Sequence, residues 1–286
     1  MGYLVAASLS EALEALDKAN AAVVAGGTDW FPAQGTRPLT GDLVDITRVP
    51  GLRGITHDAA GWRIGGATTW TDVIRADLPP AFDGLKSAAR EVGSIQIQNA
   101  GTIAGNLCNA SPAADGVPPL LTLGAVVELS SVNGTRRMPL DSFLRGPRQT
   151  ARMPGEVLTA LMIPDLPLAA QGAFLKLGAR HYLVISIAMV AAVVTVEQGR
   201  IMQAAMAVGS CSATAQRLPA LEAALTGRTV EEVRAAGTAL ITPAHLAPLA
   251  PIADVRGSAE YRMEAAATLC ARTLEMALTQ GDRTNG

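Results

Sequence analysis

Apolar positions recur at helical spacing early in the chain, at Leu9, Ala12, Leu13 and Leu16. Ser8 and Glu11 precede and overlap them with the three-residue offset of a capping box, and Glu14 and Lys18 add an i,i+4 pair. The pattern predicts a first helix that stops near Asn20. Ala21–Ala25 is then a short buried strand that ends at Gly26-Gly27, and Leu43–Ile46 and Trp62–Ala67 are two more strands. Thr71–Ala76 and Phe82–Glu91 are predicted as helices, whereas Gly93–Ser111 is polar and is predicted as loop. A brief helix at Pro119–Leu123 leads into a strand at Ala125–Ser130, and Asn133-Gly134 signals a hairpin into Arg136-Arg137-Met138. Val157–Ile163 is again a strand.

Pro- and Ala-rich residues 164–172 suggest a boundary, giving expected domains 1–170 and 171–286. Beyond it, Phe174–Leu177 and Ser186–Val196 are apolar, Gln198-Gly199 turns into Ile201–Val208, and Thr229 with Glu232 forms a second capping box for a helix to about Leu240. Ser258 opens a long last helix. Strands and helices mix without strict β-α-β repetition, which predicts an α+β fold.

Composition narrows the function classes. With 23 Lys and Arg against 25 Asp and Glu, the chain lacks the basic surplus of a nucleic-acid binder. Cys108, Cys211 and Cys270 are scattered and form no C-x-x-C, so neither a self-contained zinc or iron–sulfur site nor a disulfide framework is expected. The first residues have no basic, apolar leader pattern, and the longest apolar run, Ile187–Val194, is too short to span a membrane. A cytoplasmic location is the expectation.

Two segments carry candidate chemistry. In Val23-Val24-Ala25-Gly26-Gly27-Thr28-Asp29-Trp30 a buried strand runs into two glycines, a hydroxyl and a carboxylate. Glycines there let successive backbone N–H groups turn outward into an anion nest. Asp29 would repel a phosphate, so it either caps the next turn or binds a sugar hydroxyl. The segment is neither a G-x-G-x-x-G fingerprint nor a P-loop. The second segment, Gln98–Asp115, packs small and hydrogen-bonding residues into eighteen positions with hardly a charge. As a loop of that length it needs polar partners, which a bound cofactor would supply.

Taken together, Ala25-Gly26-Gly27-Thr28-Asp29 and Thr102-Ile103-Ala104-Gly105-Asn106 followed by Ala110-Ser111-Pro112-Ala113-Ala114-Asp115 resemble the two pyrophosphate loops of the FAD-binding subunit in the xanthine dehydrogenase and carbon monoxide dehydrogenase family of molybdenum hydroxylases. Residues 174–180 and 258–262 resemble the start of that family's C-terminal domain and its last helix, so the likeness covers nearly the whole chain.

The resemblance implies two small α+β subdomains up to about residue 170 with FAD between them, then a small antiparallel sheet packed on helices. Val24, Ala25, Gly26, Gly27, Thr28, Asp29 and Trp30 would wrap the diphosphate, and Thr102, Ile103, Gly105 and Asn106 would hold its other side. Asn109, Ser111 and Asp115 would reach the ribityl chain or the ring, Ile187 would lie beside the isoalloxazine, and Lys176 would bring positive charge near it or face solvent. Ile185, Ser186 and Ile187 are apolar or neutral where some relatives are acidic or aromatic.

No catalytic acid or base is nominated. Substrate oxidation would belong to a molybdenum cofactor on a large molybdopterin-binding subunit, with [2Fe-2S] clusters on a small iron–sulfur subunit feeding this FAD. The acceptor would be NAD or a quinone, and the assembly a dimer of heterotrimers. The rival is a stand-alone FAD-dependent oxidoreductase with its own substrate site.

Overall fold

A computed structural model describes residues 2–18, 21–36, 38 and 40–284, the last four as backbone only. Its contacts divide the chain into two compact units of interleaved segments. One comprises Met1–Ala76, Ser94–Ala110 and Ala125–Asp165; the other comprises Asp77–Gly93, Ser111–Gly124 and Leu166–Gly286.

The first unit holds a three-stranded parallel sheet in the order Tyr3–Val5, Leu43–Asp45, Ala22–Val24. Helix Leu9–Lys18 covers it, burying Ala12, Leu13 and Leu16 against Val44 and Ile46. The hydroxyl half of its capping box is formed, with the Glu11 N–H donating to Ser8 Oγ at 3.1 Å, while the Glu11 carboxylate accepts one residue earlier, from the Ala7 N–H at 2.7 Å. The expected end near Asn20 lies outside the described residues.

Beside it in the same unit is a five-stranded antiparallel sheet, ordered Ile55–Asp58, Gly61–Gly65, Val157–Ile163, Val126–Ser131, Gly134–Pro139. Val157–Ile163 is central and almost wholly buried, as its unbroken apolar run requires. The expected hairpin forms, but Ser131 pairs with Gly134, so Val132-Asn133 makes the turn. Arg136 and Arg137 are both held by carboxylates. Arg136 grips the Glu156 carboxylate with two nitrogens at 2.6 and 2.9 Å, and Arg137 pairs with Glu128 at 2.7 Å.

The second unit is built on a four-stranded antiparallel sheet, Ala170–Leu177, Ala188–Glu197, Arg200–Gly209 and Gln216–Arg217. The long helix Ala259–Thr284 lays Leu269, Cys270, Leu274, Ala277 and Leu278 against Val190, Ala192 and Val194. The alanines on both faces let helix and sheet approach closely. The predicted Thr229 capping box opens helix Val230–Ala236, which tightens into a 3₁₀ turn at Gly237–Leu240. Among the described residues no helix is long and apolar enough to cross a membrane.

Candidate functional site

In the first unit, strand Ala22–Val24 ends where Gly27 adopts φ +66°, a conformation that favours glycine. Gly26 has no room for a side chain: a Cβ there would overlap the Ala100 carbonyl, with the Gly101 Cα close behind. The Thr28 hydroxyl also lies beside Gly101. The two segments singled out in the sequence therefore touch, backbone against backbone. Among the described residues, the N–H groups of Gly26, Gly27, Thr28 and Asp29 donate to no protein acceptor. Four successive amides without a protein acceptor leave backbone donors available to an anion.

Trp30 opens the short helix Trp30–Gln34 and meets the Phe31 ring edge-on at 5.0 Å. Asp29 sits at the N-cap of that helix but makes no capping hydrogen bond. Its carboxylate pairs instead with Arg148 at 3.0 Å. Val24 and Ala25 are buried and half-buried behind the turn.

The second segment is not a loop. It contains helices Ile95–Ala100 and Ile103–Asn109, each started by a hydroxyl. Ser94 Oγ accepts from the Ile97 N–H at 3.4 Å, and Thr102 Oγ from the Gly105 N–H at 3.1 Å. Helix formation satisfies much of the backbone that a loop would have left needing partners. Thr102 is further pinned by a bridge to Thr69, and Ile103 donates its N–H to the Thr68 carbonyl at 2.9 Å. The Ile103 side chain is wholly buried in the core, while Gly105 is exposed. Asn106 presents a buried Oδ1 with no partner among the described residues. Asn109 is half-buried at the end of the helix. Burial pushes the Cys108 thiol up to about 11.

Ser111, Asp115, Lys176 and Ile187 fall in the second unit. Ser111 Oγ accepts from the Ala113 N–H at 3.2 Å. Lys176 does not face solvent: its side chain is 6% exposed and its Nζ lies 2.8 Å from the Asp115 carboxylate, itself 10% exposed. Ser186 donates to the other Asp115 oxygen at 2.8 Å. Burial pushes the Asp115 carboxyl above its ordinary range, and the Lys176 ammonium and Ser186 hydroxyl oppose that rise. Ile187 is buried, and its carbonyl accepts from the buried Arg262 guanidinium at 2.5 Å.

Three residues were missed in the sequence. Ser186 looked merely neutral, Arg262 appeared only as part of a helix start, and Arg148 carried no signal. Among the described residues no set of three His, Cys, Asp or Glu gathers to hold a metal ion.

The family described as the FAD binding domain in molybdopterin dehydrogenase matches residues 1–166, and the CO dehydrogenase flavoprotein C-terminal domain matches residues 173–277. The chain belongs to the FAD-binding medium subunits of the molybdenum hydroxylases. It is 34% identical to the 6-hydroxypseudooxynicotine dehydrogenase complex subunit alpha of Paenarthrobacter nicotinovorans, covering 96% of this chain and 94% of the relative. It is 31% identical to the carbon monoxide dehydrogenase medium chain of Afipia carboxidovorans, covering 94% of each. A crystal structure of a Cu,Mo-CO dehydrogenase superposes with TM-score 0.88 at 30% identity, covering 97% of both chains. Quinoline 2-oxidoreductase from Pseudomonas putida 86 superposes with TM-score 0.87 at 25% identity, covering 98% of both.

The residues present in this medium subunit fit FAD. The open amides of Gly26–Asp29 suit a diphosphate, the tight Gly26 packing holds the two backbone segments together, and the Asn106 Oδ1, unpartnered among the described residues, would accept from a hydroxyl or amide donor.

Proposed function

We infer that this medium subunit is the electron-transfer station of its complex, taking electrons from iron–sulfur clusters on a small partner and passing them to NAD or a quinone. The observation that carries the reading is the contact of Gly26 with Ala100 beside four unpaired amides, a cradle for a dinucleotide. When bound, FAD supplies the conversion between one-electron and two-electron transfer. The chain's own task is to hold and orient it. The amides of Gly26–Asp29 hold the diphosphate, and Val24, Ala25 and Trp30 back that turn. Thr102, Ile103, Gly105, Asn106 and Asn109 form the facing wall. Ser111, Asp115, Lys176 and Ile187 are proposed contacts as well.

The comparisons favour partners. The related proteins are named as medium chains or as subunits of complexes, and the Cu,Mo-CO dehydrogenase is named for metals it carries. A large molybdopterin-binding subunit, a small [2Fe-2S] subunit, a dimer-of-heterotrimers assembly and a cytoplasmic location complete the proposal, with a domain boundary near residue 170.

The test is to co-express the chain with its partner subunits, strip FAD from the complex, and follow substrate-driven cluster reduction and acceptor reduction separately. Cluster reduction is expected to survive while reduction of NAD or quinone stops. Acceptor reduction that persists without FAD would overturn the assignment.

A further inference from the structure

Residues 144–150 form a small two-stranded hairpin, Leu144–Gly146 against Gln149–Thr150, turned by Pro147-Arg148. Arg148 has φ +60°. A turn whose second central residue is left-handed normally places glycine there, because that conformation costs an L-residue about 1–2 kcal/mol. A long cationic side chain is instead held in that strained position.

Its backbone and its side chain reach the two segments singled out in the sequence, one each. The Arg148 N–H donates at 2.9 Å to the carbonyl of Ala110, the left-handed residue that ends helix Ile103–Asn109. The guanidinium reaches Asp29 at 3.0 Å, across 119 residues of sequence. Arg148 is 61% exposed and Asp29 55%, so the pair adds little to stability. The placement does something else. It neutralises a carboxylate that would otherwise repel a phosphate beside the open amides of Gly26–Asp29. It also leaves further guanidinium N–H donors available, since no other Arg148 side-chain hydrogen bond is made among the described residues.

We propose that Arg148 is a cofactor-holding residue, masking the Asp29 charge and giving its remaining donors to the phosphate-bearing half of FAD. The inference rests on the FAD reading above and adds a third segment to the two already assigned.

The test compares the full chain with R148G and R148K, all stripped of flavin. Each is titrated with FAD by flavin fluorescence at low and high salt, and each flavin-free protein is melted. R148G relieves the backbone strain, so its flavin-free melting point is expected to hold or rise while its FAD Kd rises about tenfold. R148K is expected to recover part of that loss, and the salt dependence of Kd to flatten in R148G. Equal FAD Kd values for the native chain and R148G overturn the proposal. If R148G also melts lower, R148K decides: recovered affinity upholds the role and unrecovered affinity overturns it. A native chain that takes up no FAD sinks both this proposal and the functional reading, whereas binding that is insensitive to Arg148 sinks this one alone.

Discussion

Lys176 and Asp115, 61 residues apart in sequence, form an ion pair at 2.8 Å with both side chains almost out of solvent. A buried pair is costly to break from one side, because the remaining charge loses its only opposite partner. Lys176→Met is therefore expected to lower unfolding stability by about 3–5 kcal/mol at neutral pH. The sign of the pH dependence follows from Asp115. Burial already raises its carboxyl, and removing Lys176 lifts the folded-state value further. A raised acid contributes its stability below the unfolded value and loses it as pH rises through the folded one. The deficit should thus shrink towards pH 4 and widen towards neutral. Urea unfolding at several pH values checks it, and a deficit independent of pH would show that Asp115 is not the group left behind.

Gly26→Ala tests the contact between the two segments. The added carbon would meet only backbone, the Ala100 carbonyl and the Gly101 Cα, so no side chain can swing away. The expected cost is about 1–3 kcal/mol, as for other overpacked sites, together with loss of most of the bound FAD as the segments part. The flavin-to-protein absorbance ratio of the purified chain measures this. Full flavin content in Gly26→Ala would mean that the segments need not touch to hold the cofactor.

How much of this was legible in the sequence depends on the range of the interaction. The turn at Gly26-Gly27, the Ser8–Glu11 and Thr229–Glu232 caps and the strand Val157–Ile163 are local, and their patterns read directly. Helices Ile95–Ala100 and Ile103–Asn109 hid because they are only six and seven residues long, too short to show a helical period, and carry Asn and Gly, which are weak helix formers. What makes them helical is two hydroxyl caps and the strand-like bridge of Thr102 to Thr69. The capping box of helix Trp70–Arg75 escaped because Thr69 is answered by Asp72 where Glu or Gln is usual. Strand Tyr3–Val5 is too short to show a period and exists through parallel pairing with Leu43–Asp45. Lys176 with Asp115, and Arg148 with Asp29, are long-range pairs with no local mark at all.

Asn106 offers a case where binding and stability should move in opposite directions. Its buried Oδ1 has no partner among the described residues, a penalty of about 1–3 kcal/mol that a ligand donor would remove. Asn106→Leu is expected to keep or raise the melting point of the flavin-free protein. FAD affinity should fall about tenfold, equal to one lost hydrogen bond of about 1.4 kcal/mol. Melting curves and calorimetric titration give the two readouts. A variant that melts lower yet binds FAD as before would place Asn106 in the fold and not in the site.

Asp254 is expected to contribute to the acid limb of stability in the second unit. Its carboxylate accepts the Arg256 backbone N–H at 2.8 Å, and it also pairs with the Arg262 and Arg256 guanidinium groups at 2.7 and 3.1 Å. These contacts hold its pKa at about 2, below the ordinary 3.8. A depressed acid contributes stability above its unfolded value and loses it as pH falls through the folded one, so the loss should run from pH 3.8 down to about 2. Arg262 is 3% exposed and also donates to the carbonyls of Ile187 and Ser210. Protonating Asp254 therefore removes the counter-charge of a buried guanidinium that braces the backbone at Ile187. Asp254→Asn should lower the melting point at neutral pH and flatten the profile between pH 3.8 and about 2, bringing variant and native curves together at the acid end. Parallel curves across that window would assign the acid sensitivity to another carboxylate.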